Sequence, residues 1–353
     1  MPPLDLAATQ RRGHVRLPSQ AEAGYAHNSV RVADLRLVHV AGLRLVEDEA
    51  MKGRYQMWFL AFGLAALFAC EEEIPDGPPT CSPSCAGGDS GTGSPLPPVT
   101  DYAQKGPFAT TTQANVGPNN NYTVYRPTQL GTNGFIHSPV IFGPGILTAA
   151  WMYDAFLTHL ASHGFVVICV NSMGGGPNAP GNLNDMRQGL EWLVAQNSQP
   201  GVFQGKLATK RAVAMGYSIG ATASVQLSSH PAVMTTVAIH GHDTSGDPHG
   251  PVLLLTGTSD VITSVRRTLG TLDEAPAVMT ALPINHLGVL TELAMLGTIS
   301  RSSRYVAPIT AWLRYWAHGD ENAKRFFGGP TCEMCSSPWI TPEGNAKWRA
   351  LAL

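Results

Sequence analysis

The chain has 353 residues, of which 44% are hydrophobic and only 14% are charged, and its formal net charge is −2. Such a length can bury one large core or two smaller ones, and nothing in the charge is basic enough to indicate a nucleic-acid partner. The 37 glycines and 27 prolines favour a loop-rich exported protein over a helical cytosolic one.

The interpretable part of the sequence starts at Met51. Residues 1–50 mix arginine, histidine and short apolar pieces without turn signals or a sustained period. Lys52 and Arg54 then precede an apolar run, residues 57–69, which is too short to span a bilayer comfortably. This is the pattern of an export signal. We therefore expect translation to begin at Met51 and residues 1–50 to be an upstream extension from a misassigned start.

The end of this apolar run carries a lipidation pattern. Residues 67–70 read Leu-Phe-Ala-Cys and resemble a bacterial lipobox, whose cysteine becomes the lipidated first residue after cleavage. The resemblance implies a lipoprotein signal peptide over residues 51–70 and a lipid anchor on Cys70 that attaches the protein to a membrane. By resemblance to other lipoproteins, Glu71 rather than aspartate after this cysteine favours the outer membrane or cell surface if the source is a Gram-negative bacterium. A plain signal peptide and an uncleaved anchor are the alternatives.

The next segment, residues 71–100, is dominated by proline, glycine, serine, threonine and aspartate. Such a composition cannot bury enough apolar surface to become ordered, so it predicts a flexible tether. The tether leads to the catalytic domain, which we expect over residues 101–353.

The cysteines indicate oxidising surroundings if the protein is exported. Four of them are expected to form disulfides, although the spacing does not reveal their pairing: Cys81, Cys85, Cys332 and Cys335. Zinc binding by the same four is the alternative. Cys169 lies within an apolar strand and is predicted to be a buried free thiol.

Strands and helices alternate from residue 101 onward. Runs of strand type cover residues 122–126, 140–142, 165–170, 212–215, 233–239, 252–255 and 277–282. Helical patterns cover residues 150–162, 185–196, 221–229 and 306–317. Met186, Leu190 and Leu193 fall on one face of their helix, as a helix that covers a sheet requires. The alternation predicts an α/β fold, with a mainly parallel sheet, helices on both faces and active residues at the carboxyl ends of the strands.

The strongest motif is the G-x-S-x-G pentapeptide at residues 216–220. Residues 212–215 before it are typical of a strand, and the small residues after it are typical of a helix. This context predicts a nucleophile elbow with Ser218 as the nucleophile. Side chains in place of Gly216 and Gly220 would collide with a neighbouring strand or helix. An incidental serine in a glycine-rich turn is the alternative.

A serine nucleophile needs a base, and the base needs a carboxylate to orient it. In folds with this elbow the acid and then the histidine follow in the chain, each after a strand. Asp260 follows the apolar run 252–255, and His286 follows the run 277–282. The sequence therefore predicts a triad of Ser218, His286 and Asp260.

An oxyanion hole needs two backbone N–H groups beside the nucleophile. We expect one from Ile219, at the start of the helix. The other is expected from Ile146, where Gly143 and Gly145 let the backbone approach closely. An ordinary turn is the alternative for these two glycines.

The loop of residues 240–249 admits other interpretations. Its titratable residues compete for the roles of acid and base, or could bind a metal ion: His240, His242, Asp243, Asp247 and His249. Their spacing matches no established metal motif, and a loop that lines the substrate site or lies in solvent has the same composition. A metal-dependent hydrolase that uses this loop is one rival function.

Five blocks, residues 144–146, 160–167, 216–220, 259–260 and 285–286, together resemble the bacterial cutinase-like polyester hydrolases. That group includes poly(ethylene terephthalate) hydrolases and has dienelactone hydrolase relatives. The resemblance covers about residues 101–327, and its most distinctive block is Leu-Ala-Ser-His-Gly-Phe-Val-Val at 160–167. It implies the α/β-hydrolase fold, an acyl-enzyme intermediate, a shallow open cleft and no cofactor.

The resemblance also assigns substrate-binding positions. The aromatic oxyanion residue of the family corresponds to Ile146, its methionine after the nucleophile to Ile219, and its tryptophan clamp to His242. These changes weaken stacking on an aromatic ester, for which Trp151 or Tyr153 would have to compensate.

We expect a monomeric serine carboxylester hydrolase for apolar acyl esters or aliphatic polyesters. A rival from another class is a surface lipoprotein that uses a degenerate hydrolase frame only to bind a ligand. Its signature would be a broken triad, and none of the three triad residues is missing from the sequence.

Overall fold

A computed structural model describes residues 96–176, 179–293, 303–351 and 353. Outside these residues lie the predicted upstream extension 1–50, the signal peptide 51–70 with Cys70, most of the tether 71–100, and Cys81 and Cys85. None of the helices within the described ranges is both long and apolar enough to cross a membrane.

The described strands form one mixed sheet. They are β1 (Thr110–Val116), β2 (Tyr122–Pro127), β3 (Pro139–Gly143), β4 (Val166–Val170), β5 (Ala212–Tyr217), β6 (Val233–Ile239), β7 (Val252–Gly257), β8 (Ala277–Leu282) and β9 (Glu343–Gly344). Their order across the sheet is β1-β2-β4-β3-β5-β6-β7-β8-β9. The six from β4 to β8 run parallel, and the strands outside them are antiparallel. The predicted α/β class with a mainly parallel sheet is thereby confirmed.

Helices cover both faces of the sheet. They are α1 (Asp154–Ser162), α2 (Pro180–Ala195), α3 (Ile219–Leu227), α4 (Ile262–Thr271), α5 (Gly288–Glu292), α6 (Val306–His318) and α7 (Ala346–Ala350). Side chains of β3 alternate between the faces, so that Phe142 joins the cluster under α1 and α6 while Ile141 joins the cluster under α2 and α3. Burial on both faces explains why β3, β4, β5, β7 and β8 are apolar at nearly every position.

The structure adds elements that the sequence patterns did not predict. Strand β1 is an edge strand with four exposed residues, so it lacks the apolar run by which the inner strands were recognised. Helix α4 carries a narrow apolar stripe, Ile262, Val265 and Leu269 at helical spacing in an otherwise mostly polar segment, and this stripe was not recognised from the sequence. Helix α2 begins five residues before the predicted start, because Pro180 occupies its first turn, where proline is favoured.

The last residues of the predicted tether pack against the domain. The carbonyl oxygen of Pro97 accepts a hydrogen bond from Arg314 at 2.9 Å, and that of Thr100 accepts one from Arg325 at 2.9 Å. Val99 packs against the main core. The prediction of a flexible tether is therefore wrong for residues 96–100, because these backbone and apolar groups find fixed partners.

Two cysteines of the C-terminal segment pair with each other. Cys332 and Cys335 form a disulfide, which leaves neither sulfur free to bind zinc. Cys169, within β4, is buried and unpaired, as predicted. The disulfide therefore closes a short local loop rather than joining the domain to a distant segment.

Candidate active site

The turn between β5 and α3 has the strained geometry of an elbow. Ser218 lies between the two elements with a backbone φ of 57°, a region that non-glycine residues seldom occupy. A Cβ atom at Gly220 would lie 1.9 Å from the carbonyl oxygen of Gly143, and one at Gly216 would lie 2.4 Å from the carbonyl group of Gly220. The structure thus confirms that side chains at these two positions would collide with the backbone. Because both residues are glycine, β3, β5 and α3 can approach one another closely below Ser218.

The three residues predicted as a triad lie within hydrogen-bonding distance. Ser218 Oγ is 2.9 Å from His286 Nε2, and His286 Nδ1 is 2.9 Å from Asp260 Oδ2. The serine follows β5, the aspartate follows β7 and the histidine follows β8, so all three stand at the carboxyl edge of the parallel strands. The arrangement can deprotonate a hydroxyl and stabilise the imidazolium that results.

Solvent exposure of the site decreases from His286 to Asp260. The side chain of His286 is 30% exposed and that of Asp260 only 7% exposed. Burial opposes the charge of Asp260, yet hydrogen bonds from two imidazole rings, those of His240 and His286, hold the pKa of its carboxyl well below the ordinary value. Asp260 is therefore a carboxylate at neutral pH.

The loop after β3 is held directly beside the nucleophile. A Cβ atom at Gly145 would lie 2.7 Å from the ring of Tyr217 and 3.5 Å from Cβ of Ser218, so only glycine permits this approach. Thr148 Oγ1 donates to the carbonyl oxygen of Gly145 at 2.6 Å, and the N–H of Gly145 donates to the Tyr153 hydroxyl at 3.3 Å. These bonds fix the segment that carries Ile146.

The predicted oxyanion and substrate residues differ in their surroundings. Ile219 is the first residue of α3, where its N–H has no preceding intrahelical acceptor, but its side chain is only 1% exposed and packs into the core. The prediction that this side chain binds substrate is therefore wrong in the described conformation. The ring of His242 lies 5.9 Å from that of His286, as a residue of the cleft should.

Exposed apolar side chains cluster on the two loops that carry Ile146 and His286. We call these four residues the apolar rim: Ile146 (47% exposed), Leu147 (91%), Trp151 (64%) and Leu287 (68%). Tyr153, which the sequence offered as a second aromatic contact, is buried and bound to Thr148. Three of the four side chains of the apolar rim are aliphatic.

A second imidazole, that of His240, contacts the triad carboxylate and was not assigned this place from the sequence. Its Nδ1 makes a short hydrogen bond to Asp260 Oδ2, the same oxygen that His286 contacts. On its other side Nε2 lies 2.7 Å from the hydroxyl oxygen of Tyr305. The only sequence signal was a histidine directly after β6, which is the strand between the serine strand and the acid strand.

The loop of residues 240–249 does not gather the metal ligands that its composition suggested. His249 contacts the carbonyl oxygen of Ser229, and Asp243 pairs with Arg267. Among the described residues, the group of side chains close enough to hold a metal ion is instead His240, Asp260 and His286, whose ligand atoms lie within 4.8 Å of one another. Metal binding there would compete with the hydrogen bonds of the triad.

The described site lies within a region that resembles a known protein family. A family model described as PET hydrolase-like matches residues 94–337, which include every residue of the candidate site. No curated protein is significantly similar to the chain.

Proposed function

This chain belongs to the PET hydrolase-like family, and from that premise we propose that it is a serine carboxylester hydrolase acting on apolar acyl esters or aliphatic polyesters. One observation carries the proposal. Ser218 Oγ, His286 and Asp260 form an unbroken chain of two 2.9 Å hydrogen bonds that ends beside exposed apolar surface. Such a chain gives a hydroxyl the base that it needs to become a nucleophile.

In the proposed mechanism Ser218 Oγ attacks the carbonyl carbon of the ester while His286 Nε2 accepts its proton. The backbone N–H groups of Ile146 and Ile219 receive the negative charge that develops on the carbonyl oxygen. His286 then donates the proton to the leaving alcohol, and the acyl group remains on Ser218. Water repeats both steps and releases the acid.

Asp260 stays ionised throughout this cycle. Its lowered pKa means that the carboxylate faces His286 both before and after the imidazole accepts the proton. The charge then stabilises the imidazolium and keeps Nδ1 protonated, so that Nε2 stays free to act as the base.

The apolar rim favours aliphatic over aromatic substrates. Ile146, Leu147 and Leu287 are aliphatic, and Trp151 is the aromatic member of the rim. We expect kcat/KM on p-nitrophenyl esters to rise from acetate to chains of medium length, and release of acid from an aliphatic polyester film to exceed that from poly(ethylene terephthalate). Faster cleavage of the aromatic polyester would refute this preference.

Ser218→Ala tests the nucleophile. We expect kcat on p-nitrophenyl esters to fall by at least about a thousandfold with the unfolding midpoint little changed. Ser224→Ala removes another buried hydroxyl of α3, one that bonds only to the carbonyl oxygen of Ala221, and is the matched control. A Ser218→Ala protein that keeps most of its turnover would place the nucleophile elsewhere.

Two further measurements separate the rival functions. A fluorophosphonate should label the wild-type protein on Ser218, whereas a protein that only binds a ligand would remain unlabelled. A chelator should leave the esterase activity unchanged, whereas a metal-dependent hydrolase would lose activity and regain it with Zn²⁺.

We also propose that the protein is exported and carries a lipid on Cys70. The signal pattern of residues 51–70 supports this, and the disulfide between Cys332 and Cys335 suits an oxidising compartment. Metabolic labelling with a radioactive fatty acid in a bacterial host should mark the wild type but not Cys70→Ala. Equal labelling of both would refute the anchor.

A further inference from the structure

The carboxylate of Asp260 serves two histidines through one oxygen. Oδ2 contacts Nδ1 of His286 and Nδ1 of His240, and no other side chain is bonded to this carboxylate among the described residues. His286 is partly exposed and belongs to a loop, whereas His240 is fully buried. Of the two hydrogen bonds to Oδ2 of Asp260, the one from His240 is therefore held more rigidly.

The fold places His240 through an unusual backbone. The residue directly follows β6 and has a φ of 55°, a left-handed conformation that costs a side-chain-bearing residue roughly 1 kcal/mol or more. Its N–H donates to the carbonyl oxygen of Leu255 at 2.7 Å, which holds it against β7. A Cβ atom at Gly257 would lie 3.1 Å from the imidazole of His240, so the absence of a side chain there makes room for the ring.

The hydrogen-bond partners define the tautomer of this ring. Burial lowers the pKa of His240 despite the neighbouring carboxylate, which favours the neutral ring with one N–H at neutral pH. Because Asp260 can only accept, that hydrogen is on Nδ1. Nε2 of the neutral ring is then an acceptor for the Tyr305 hydroxyl at 2.7 Å, whose single hydrogen also has the carbonyl oxygen of Thr256 within reach at 3.1 Å.

We propose that His240 is a positioning residue for the reaction: its Nδ1–H holds Oδ2 of Asp260 in front of His286 and takes up part of the carboxylate charge. Tyr305, packed from α6, in turn holds His240 in the required tautomer. This inference rests on the proposed serine hydrolase function. It assigns to His240 an action through Asp260 and not a contact with substrate.

Two substitutions at this position separate the hydrogen bond from simple space filling. His240→Asn keeps an N–H donor at the place of Nδ1, and asparagine tolerates a positive φ. His240→Leu has similar bulk and no donor. We expect Leu to lower kcat on a soluble p-nitrophenyl ester by about 10- to 100-fold with little change in KM, and Asn to stay within about threefold of wild type.

The dependence of kcat/KM on pH tests the proposal, because a purely structural role of His240 would leave that dependence unchanged. The groups that face His286 are Asp260 and His240, His242 from the loop after β6, and Tyr217 from β5. Without the N–H of His240, the charge of Asp260 is concentrated on His286 and stabilises its protonated form. The acid limb of kcat/KM should therefore move to higher pH by roughly half a unit or more in His240→Leu, and stay in place in His240→Asn.

A third variant covers the case in which leucine does not tolerate the left-handed backbone. His240→Gly removes the donor without backbone strain, and the unfolding free energy of all variants is measured first. The inference is overturned if folded His240→Leu or His240→Gly keeps the wild-type kcat and acid limb. It is also overturned if all three variants lose activity only in proportion to their unfolded fraction.

Fluorophosphonate labelling distinguishes this failure from failure of the proposed function. If wild-type Ser218 is labelled and His240→Leu is fully active, only the role of His240 is refuted. If wild-type Ser218 is not labelled, the serine hydrolase proposal itself falls.

Discussion

The hydroxyl of Tyr217 donates a hydrogen bond to the carbonyl oxygen of His286 at 2.9 Å. It joins the residue before the nucleophile to the loop that carries the base, and the two rings lie 5.2 Å apart. The distance between serine and imidazole therefore depends on a side chain of the elbow itself.

Removing the hydroxyl of Tyr217 should make the position of His286 less well defined. We expect Tyr217→Phe to lower kcat on p-nitrophenyl esters by about three- to tenfold, and to reduce the unfolding free energy by about 1 kcal/mol. Tyr122→Phe is the matched control, because it deletes a similar hydroxyl that bonds to the carbonyl oxygen of Asp185 away from the site. Equal kcat in both variants would show that the Tyr217 bond does not position His286.

The contact between Gly220 and Gly143 leaves no room for a methyl group. Gly220→Ala would place Cβ 1.9 Å from the carbonyl oxygen of Gly143, which is backbone and cannot move aside cheaply. We expect this variant to lose soluble expression or nearly all activity. Gly270→Ala is the control, since no atom lies within 4 Å of its Cβ position in α4. It should gain about 0.5–1 kcal/mol of unfolding free energy, because alanine is favoured in helices.

Three buried histidines should make the fold sensitive to acid. Burial lowers the pKa of His137 and His159 to about 4 and that of His163 to about 3, so all three are neutral in the folded protein at pH 5. The unfolded chain binds their protons from about pH 6.5 downward. The unfolding free energy should therefore be constant above that pH and fall as the pH is lowered toward 4, by at most about 1.4 kcal/mol per pH unit for each histidine.

Denaturant unfolding between pH 7.5 and 4 checks this dependence, and His163→Gln should reduce its slope. The pKa of Asp260 is also lowered, but for a carboxyl group this shift stabilises the folded state. The carboxylate therefore stabilises the folded state at any pH above the pKa of aspartate in the unfolded chain. This contribution is lost only below about pH 4. Stability that stays flat from pH 6.5 to 4.5 would contradict the assignment of neutral histidines.

The apolar rim should bind solid polyester. We expect Leu147→Ser and Leu287→Ser to reduce adsorption to an aliphatic polyester film by roughly threefold each, because less apolar area leaves water, with hydrolysis of p-nitrophenyl acetate, whose acyl chain is too short to reach the rim, nearly unchanged. Val202→Ser is the control: its side chain is also exposed but lies on the segment that enters β5, at the opposite edge of the sheet. Equal adsorption of all three variants would exclude the rim as the docking surface.

The sequence by itself determined the elements whose signals are local. Apolar runs are visible because inner strands are buried on both faces, and the two glycines around Ser218 mark a turn that tolerates no other residue. The order of serine, aspartate and histidine after successive strands then predicted the site, because parallel strands end at one edge. Strand β1 was not predicted because its exposed residues leave little hydrophobic pattern, and helix α4 was not predicted because its apolar stripe is narrow and the rest of the helix is mostly polar.

Only the tertiary structure decided which side chains share a partner. His240 reaches Asp260 because β6 lies between the strands of the nucleophile and the acid, and because its backbone is left-handed. The packing of the elements likewise buries the side chain of Ile219 and brings Arg314 to the carbonyl oxygen of Pro97. Hydrophobic periodicity reports which face of an element is buried, whereas a hydrogen bond between distant residues depends on how the elements pack, and no local pattern carries that information.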